Sequence, residues 1–134
     1  MSVKLQPVKK TDIKFLYDLL NERDPIFNIS HKKMPTYDEH LKFVLSKPYS
    51  KWYVVYANGI KVGSAYLSKQ NEIGIHIKKE FSTEKIRQAV LDILIEKNPK
   101  KRYLANINPH NKKTIRFFKK NGFRLIQYTF ELLK

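Results

Sequence analysis

The chain has 134 residues, 42% of them hydrophobic, and its 27 Lys plus Arg against 12 Asp plus Glu leave a formal charge of +15. This length suits one compact domain with a core and a cleft beside it, and eight Phe, eight Tyr and one Trp argue against disorder. No stretch approaches the roughly 20 apolar residues that cross a bilayer, and the lack of cysteine excludes disulfides, a thiolate nucleophile and a Cys-based zinc site.

Val3 to Val8 reads as a first strand. Thr11 can cap a helix in which Ile13, Leu16, Tyr17 and Leu20 recur at helical spacing. That helix should stop near Arg23, because Pro25 disfavours helical geometry at Asp24. A loop follows. Thr36 and Glu39 then form a capping-box pattern ahead of a second helix with Leu41, Val44 and Leu45 on its apolar side, ended by Pro48. WYVVYANGIKVGSAYL is a hairpin signal, since Asn58-Gly59 supplies the positive φ angles of a type I′ turn. NEIGIHIK is a further strand, with Ile73, Ile75 and Ile77 on one face and Glu72, Gly74 and His76 on the other.

From Thr83 to Glu96 the pattern returns to helical, with Ile86, Ala89, Val90, Ile93 and Leu94 as its stripe and Asn98-Pro99 as its end. RYLANIN reads as a strand, NKKTIRFFKK as a helix with Gly122 as its αL terminator, and FRLIQYTFELL as a last strand. The predicted order is β-α-α-β-β-β-α-β-α-β over residues 1–134, one domain without linker, repeat or low-complexity tract.

The opening residues MSVKLQPVKK lack an apolar stretch, so no secretory signal is expected and the cytosol is the plain location. The positive field attracts anions, whether nucleic acid, an acidic membrane face or a phosphorylated small molecule. Its cations are spread along the whole chain, which fits a solvated surface equally well. No nucleic-acid motif or stacking platform accompanies them, so a nucleic-acid partner ranks last and a membrane partner is not expected. His31, His40, His76 and His110 include no pair at the i,i+4 spacing of helical metal ligands, and no metal site is expected.

Three central strands followed by helix, strand, helix and strand, together with NPHNKKTIRFFKKNGF, resemble the GCN5-related N-acetyltransferase family over nearly the whole chain. In that last stretch Asn111, Thr114, Phe118, Gly122 and Phe123 stand where the family has an Asn, a small hydroxyl residue, an aromatic and a closing Gly-Phe. The resemblance implies an α/β (α+β) fold, a mixed but mostly antiparallel central sheet flanked by about four helices. It also implies an acyl-CoA-dependent N-acetyltransferase that uses acetyl-CoA as co-substrate and a primary amine as acceptor, by direct transfer.

On that resemblance the cofactor would be held by the Ile75, His76 and Ile77 strand, by Asn108 and Asn111, and by Thr114 with Phe117 or Phe118 as a wall. Asn111 also suits a plain helix cap, and the phenylalanines suit a core. EIGIHIKKEFSTEKIRQAVLDIL lines up with the family's strand, pyrophosphate loop and helix. Here Ser82, Lys85 and Arg87 stand in place of the family's Gln/Arg and two glycines, with Ile86 between the two cations. Backbone crowding weakens an amide cradle, while two positive charges are gained near the diphosphate. A quiet, non-catalytic relative of the family is therefore the alternative reading.

Acyl transfer needs a proton taken from the amine, and Glu72 is the first candidate base and His76 the second. The family often has a tyrosine acid where Phe118 stands, leaving Tyr66 and Tyr128 as candidate donors. LLNERDPIFNISHKKMPTYDEHLKFV resembles the sugar-nucleotide N-acetyltransferase branch, and also acetyltransferases of ribosomal-protein N-termini. It makes Arg23, Asn28, His31, Met34 and His40 the acceptor candidates, with an amino-sugar nucleotide or a protein N-terminus as acceptor. A homodimer through the last strands is left open.

Overall fold

The computed structural model describes residues 2–23 and 33–134. β1 (Val3–Pro7), β2 (Lys51–Ala57), β3 (Ile60–Leu67) and β4 (Ile73–Ile77) form one antiparallel sheet in the order β1-β2-β3-β4. The β2–β3 turn has Asn58 at φ 52° and Gly59 at φ 80°, both left-handed as a type I′ turn requires. The Asn58 carboxamide oxygen also accepts the Ser2 N–H at 3.0 Å, which ties β1 to the turn.

The alternation of side chains divides the sheet into two covered faces. Tyr53, Val55, Ala57, Ala65, Leu67, Ile73 and Ile77 pack under α3 (Glu84–Lys97) and α4 (Lys112–Lys120). Within α3 the buried positions are Ile86, Val90, Leu91 and Leu94, so the stripe is centred on Leu91 and not on Ala89 and Ile93. α1 (Ile13–Glu22) and α2 (Tyr37–Leu45) belong to the other face, where Ile13, Leu16 and Val44 cluster with Trp52.

Local signals account for most helix ends. Thr36 and Glu39 form the predicted capping box, Glu39 N–H donating to Thr36 Oγ1 at 3.2 Å and Thr36 N–H to Glu39 Oε1 at 2.8 Å. Gly122, at φ 89°, follows α4. At α1 the cap is not Thr11. A turn of 3-10 helix, Lys10–Asp12, precedes the helix, and the Asp12 carboxylate accepts the Lys9 N–H at 2.8 Å and the Lys61 ammonium at 2.7 Å. Leu45, assigned to the apolar side of α2, is exposed, and His40 is buried there instead.

Two predicted strands are not strands. The RYLANIN segment makes a single parallel bridge, Leu104 to Glu72, and then leaves the sheet. Residues 124–134 belong to no ladder. Both segments have strand composition, but a strand exists only where a partner supplies the ladder, and composition cannot supply that.

Candidate functional site

The sheet comes apart beside β4. Ser68 N–H donates to Glu72 O and Lys78 N–H to Val62 O, each at 2.8 Å, so the even-numbered residues of β4 turn their backbone groups toward β3. Ile73 points the other way, and its N–H donates to Leu104 O at 2.7 Å. By the same pleat Ile75 and Ile77 aim N–H and C=O at the side where the chain past Leu104 has swung away. No described residue pairs with them there. The result is a slot with β4 backbone as one wall and residues 105–108 as the other.

Glu72 pins the apex of this slot. One carboxylate oxygen accepts from Ser68 Oγ at 2.9 Å and the other from the Asn106 carboxamide. Further out, Asn108 Oδ1 accepts the His110 N–H at 2.9 Å, and Asn111 Oδ1 accepts the Thr114 N–H at 3.3 Å as the cap of α4. Thr114 thus enters through its backbone.

At the charged end, Thr83 caps α3 by accepting the Ile86 N–H at 3.2 Å. The Ile86 side chain itself is core. Arg87 donates from Nη1 to Ser82 Oγ at 2.8 Å, and its guanidinium lies 5.7 Å from the Phe117 ring centre. Its Nε is buried without a partner. Arg87 lines an open groove of ≈ 410 Å³ with Glu84, Lys113, Arg116, Phe117 and Lys120. Glu84 pairs with Lys120 at 2.8 Å, and among the described residues no carboxylate forms an ion pair with Arg87, Lys113 or Arg116. Paired carboxamides of Gln88 and Asn121, at 2.8 and 3.0 Å, fix α3 against α4 and hence the groove's width.

Lys85 is exposed and does not line this groove, so Arg87 alone of the two substituted positions faces it. The other cations were not singled out from the sequence, yet Lys113, Arg116, Phe117 and Lys120 recur at i, i+3, i+4 and i+7 of one helix. That spacing was the available signal. Phe118 is buried against Phe117 and Phe123 and serves the core.

On the opposite face of β4 lies an aromatic roof. Tyr66 lies across Gly74 so closely that a Cβ there would come within 2.1 Å of its ring. Tyr49 stacks on Tyr66 at 3.9 Å and 6°, and Trp52 meets Tyr49 edge-on at 4.8 Å. Burial pushes both phenols above their ordinary range, so each keeps its proton at neutral pH. His76 is pushed down to about 4, mainly by burial and further by the charge of Arg23, with Glu22 acting in the opposite sense. Its imidazole is therefore neutral at physiological pH.

Arg23 ends α1 and reaches this same end of β4 through its field on Tyr49, Tyr66 and His76. His40 is elsewhere in its contacts, 5.4 Å from the Tyr17 ring between α1 and α2, with Nε2 buried and unpartnered. Burial lowers its basicity too. Met34 is half-buried, and Asn28 and His31 lie outside the described residues. Tyr128 is 75% exposed.

The site thus combines a sheet parted beside β4, a buried neutral His76 on that strand and a cationic groove between α3 and α4. No protein-family profile matches the sequence, and no curated protein matches it. Solved structures do. A domain from Methanocaldococcus jannaschii aligns over 96% of this chain and 92% of its own, with TM-score 0.75 and 21% identity. An N-acetyltransferase from Staphylococcus aureus aligns over 92% and 84%, with TM-score 0.72 and 23% identity. A ribosomal alpha-N-protein acetyltransferase in complex with coenzyme A aligns over 95% and 82%, with TM-score 0.73 and 14% identity. The chain has the fold of the GCN5-related N-acetyltransferases.

Proposed function

We propose that this protein is an acyl-CoA-dependent N-acetyltransferase that passes an acetyl group directly to a primary amine. Two observations support the reading: the backbone of Ile75 and Ile77 that no described residue pairs with, and the groove lined by Arg87, Lys113 and Arg116. Ile75 and Ile77 offer amides to an extended arm, Asn106 and Asn108 edge the opposite wall, and the cations suit a phosphorylated terminus.

Acetyl-CoA, when bound, supplies an activated acyl carbon whose thiolate departs as the amine nitrogen bonds to it. The chain's part is to orient, exclude water and take a proton. We assign proton removal from the amine to His76, reversing its order with Glu72, because the Glu72 carboxylate is engaged by Ser68 and Asn106. His76 is neutral and shares its strand face with Gly74, whose missing side chain leaves the space that the Tyr66 ring fills. Tyr66, protonated and adjacent, is the candidate donor to the departing thiolate.

The acceptor is proposed to carry negative charge of its own, as an amino-sugar nucleotide does. Solved structures of similar fold include a spermidine/spermine N-acetyltransferase. In this chain both Arg23 and Glu22 act on His76 at the β4 face, in opposite senses, and Glu22 accepts the Lys79 N–H at 2.8 Å. Titration calorimetry with acetyl-CoA and with desulfo-CoA tests the cofactor. Binding of either supports the reading, and no heat at millimolar concentration removes it. A quiet binding module is favoured by Lys85 and Arg87 at the glycine positions and by Phe118 lacking a hydroxyl. It predicts coenzyme binding without turnover on any amine.

A further inference from the structure

Packing alone holds the Tyr66 side chain in place, since among the described residues no hydrogen bond reaches its hydroxyl. Its neighbours across the sheet are unequal, with Trp52 opposite it on β2 and Gly74 opposite it on β4. The ring lies over the glycine, where no side chain opposes it and where a Cβ would come within 2.1 Å. His76 is two residues further along β4 on the same face, which makes it a diagonal neighbour of Tyr66.

The flat contact on this ring comes from outside the sheet. Beyond α2, Lys47 takes a left-handed conformation at φ 51°, which side chains resist, and its N–H donates to Val44 O at 3.2 Å. Pro48 follows, so a strained turn carries Tyr49 from the end of the helix onto the sheet, where it stacks on Tyr66. Trp52 and Phe43 back Tyr49 edge-on, at 4.8 and 5.9 Å. The result is a ladder of rings that ends at β4 beside His76. Burial raises the Tyr66 phenol above its ordinary range, opposed by the charge of Arg23 and assisted by that of Glu72.

We infer that Tyr49 is a positioning residue, whose ring presses the Tyr66 phenol onto Gly74 and so keeps that donor beside His76 during the reaction. The inference rests on the acetyltransferase reading and on Tyr66 as donor to the departing thiolate. The proton that Tyr66 gives to sulfur is replaced by the one His76 takes from the amine, so the cycle needs no further reagent. Without Tyr49 the ring loses its flat contact, and other χ1 rotamers open to it. A reacting group displaced by about 1 Å loses on the order of 100-fold in rate.

Variants at Tyr49 test this on the full chain, with acetyl-CoA as acetyl donor. A uridine diphosphate amino sugar, spermidine and a peptide with a free N-terminus serve as acceptor probes. Tyr49→Phe keeps the ring and should turn over as the wild type does. Tyr49→Leu should lower kcat on the order of 100-fold, while its affinity for acetyl-CoA, read by calorimetry, stays unchanged. A second readout needs no turnover. With ring-labelled tyrosine, the Tyr66 nuclear magnetic resonance signal, assigned through Tyr66→Phe, should titrate at lower pH in Tyr49→Leu, because a loosened phenol meets water. Phe43→Ala removes a backing ring that is 44% exposed, and should shift the same signal in the same direction by less. Wild-type kcat in Tyr49→Leu, an equal fall in Tyr49→Phe, or a Tyr66 titration that neither Tyr49→Leu nor Phe43→Ala moves would each overturn the inference and leave the acetyltransferase reading standing. A wild type that binds acetyl-CoA yet acetylates none of the probes would remove both.

Discussion

His76 gives the most exacting test, because burial acts on its proton, and that proton bears on stability and on the role of base proposed for it. Its basicity falls from 6.5 to about 4 on folding. Above pH 6.5 the imidazole is neutral in both states and its contribution is fully present. Between 6.5 and about 4 the unfolded chain binds a proton that the folded chain refuses, so stability drops as pH falls, and below about 4 the contribution is gone. A shift of 2.5 pH units corresponds to about 3 kcal/mol in total, of which about 2 kcal/mol should disappear between roughly pH 7.5 and 5. Urea unfolding of wild type and His76→Gln at both pH values isolates this from His40, whose basicity burial also lowers. Wild type should lose about 2 kcal/mol more than the variant over that interval. Parallel losses would mean that His76 is hydrated and not suppressed by its surroundings, and the assignment of a neutral base would fall with it. On the proposed assignment, the same proton places a His76 limb of kcat/KM near pH 4, and a limb nearer neutrality would have to come from another group.

Glu72→Ala should cost about 1–3 kcal/mol, because Ser68 and Asn106 lose their shared acceptor at the slot apex, with Glu72→Gln closer to wild type. Thermal melts of the two variants check this, and equal melting temperatures would deny the pin. Gly74→Ala drives a methyl into the Tyr66 ring, and should lose acceptor turnover together with about 1–3 kcal/mol of stability; full activity in that variant would clear the roof of any role. Removing Lys113 and Arg116 together should weaken acetyl-CoA binding roughly tenfold and flatten its dependence on salt, as read by calorimetry at two ionic strengths. Unchanged affinity would take the groove out of the cofactor site.

Apart from the cap of α1, where Thr11 gave way to Asp12, the elements whose signal is local were legible in the chain. Thr36 with Glu39, Asn58-Gly59, Thr83, Asn111 and Gly122 each mark a cap or turn by chemistry acting over three or four residues, and each stands where the sequence put it. The isoleucine face of β4, with Gly74 and His76 opposite, follows from a period of two. The pattern of the last helix was equally visible as letters, but its basic stripe became a groove only against the N-terminal turn of α3.

What the chain could not declare were relations between distant segments. RYLANIN and FRLIQYTFELL have the composition of strands, yet one pairs at a single residue and the other at none, because ladder partners lie outside any local window. Glu72 looked like a free base until Asn106 was found 34 positions away on its carboxylate. His76 looked like an ordinary strand histidine, and only the burial and charge gathered around β4 remove its proton. Hydrogen-bond reach along the backbone sets caps and turns, so sequence sufficed for them; desolvation depends on everything packed nearby, so only the folded sheet could decide the chemistry of its parted edge.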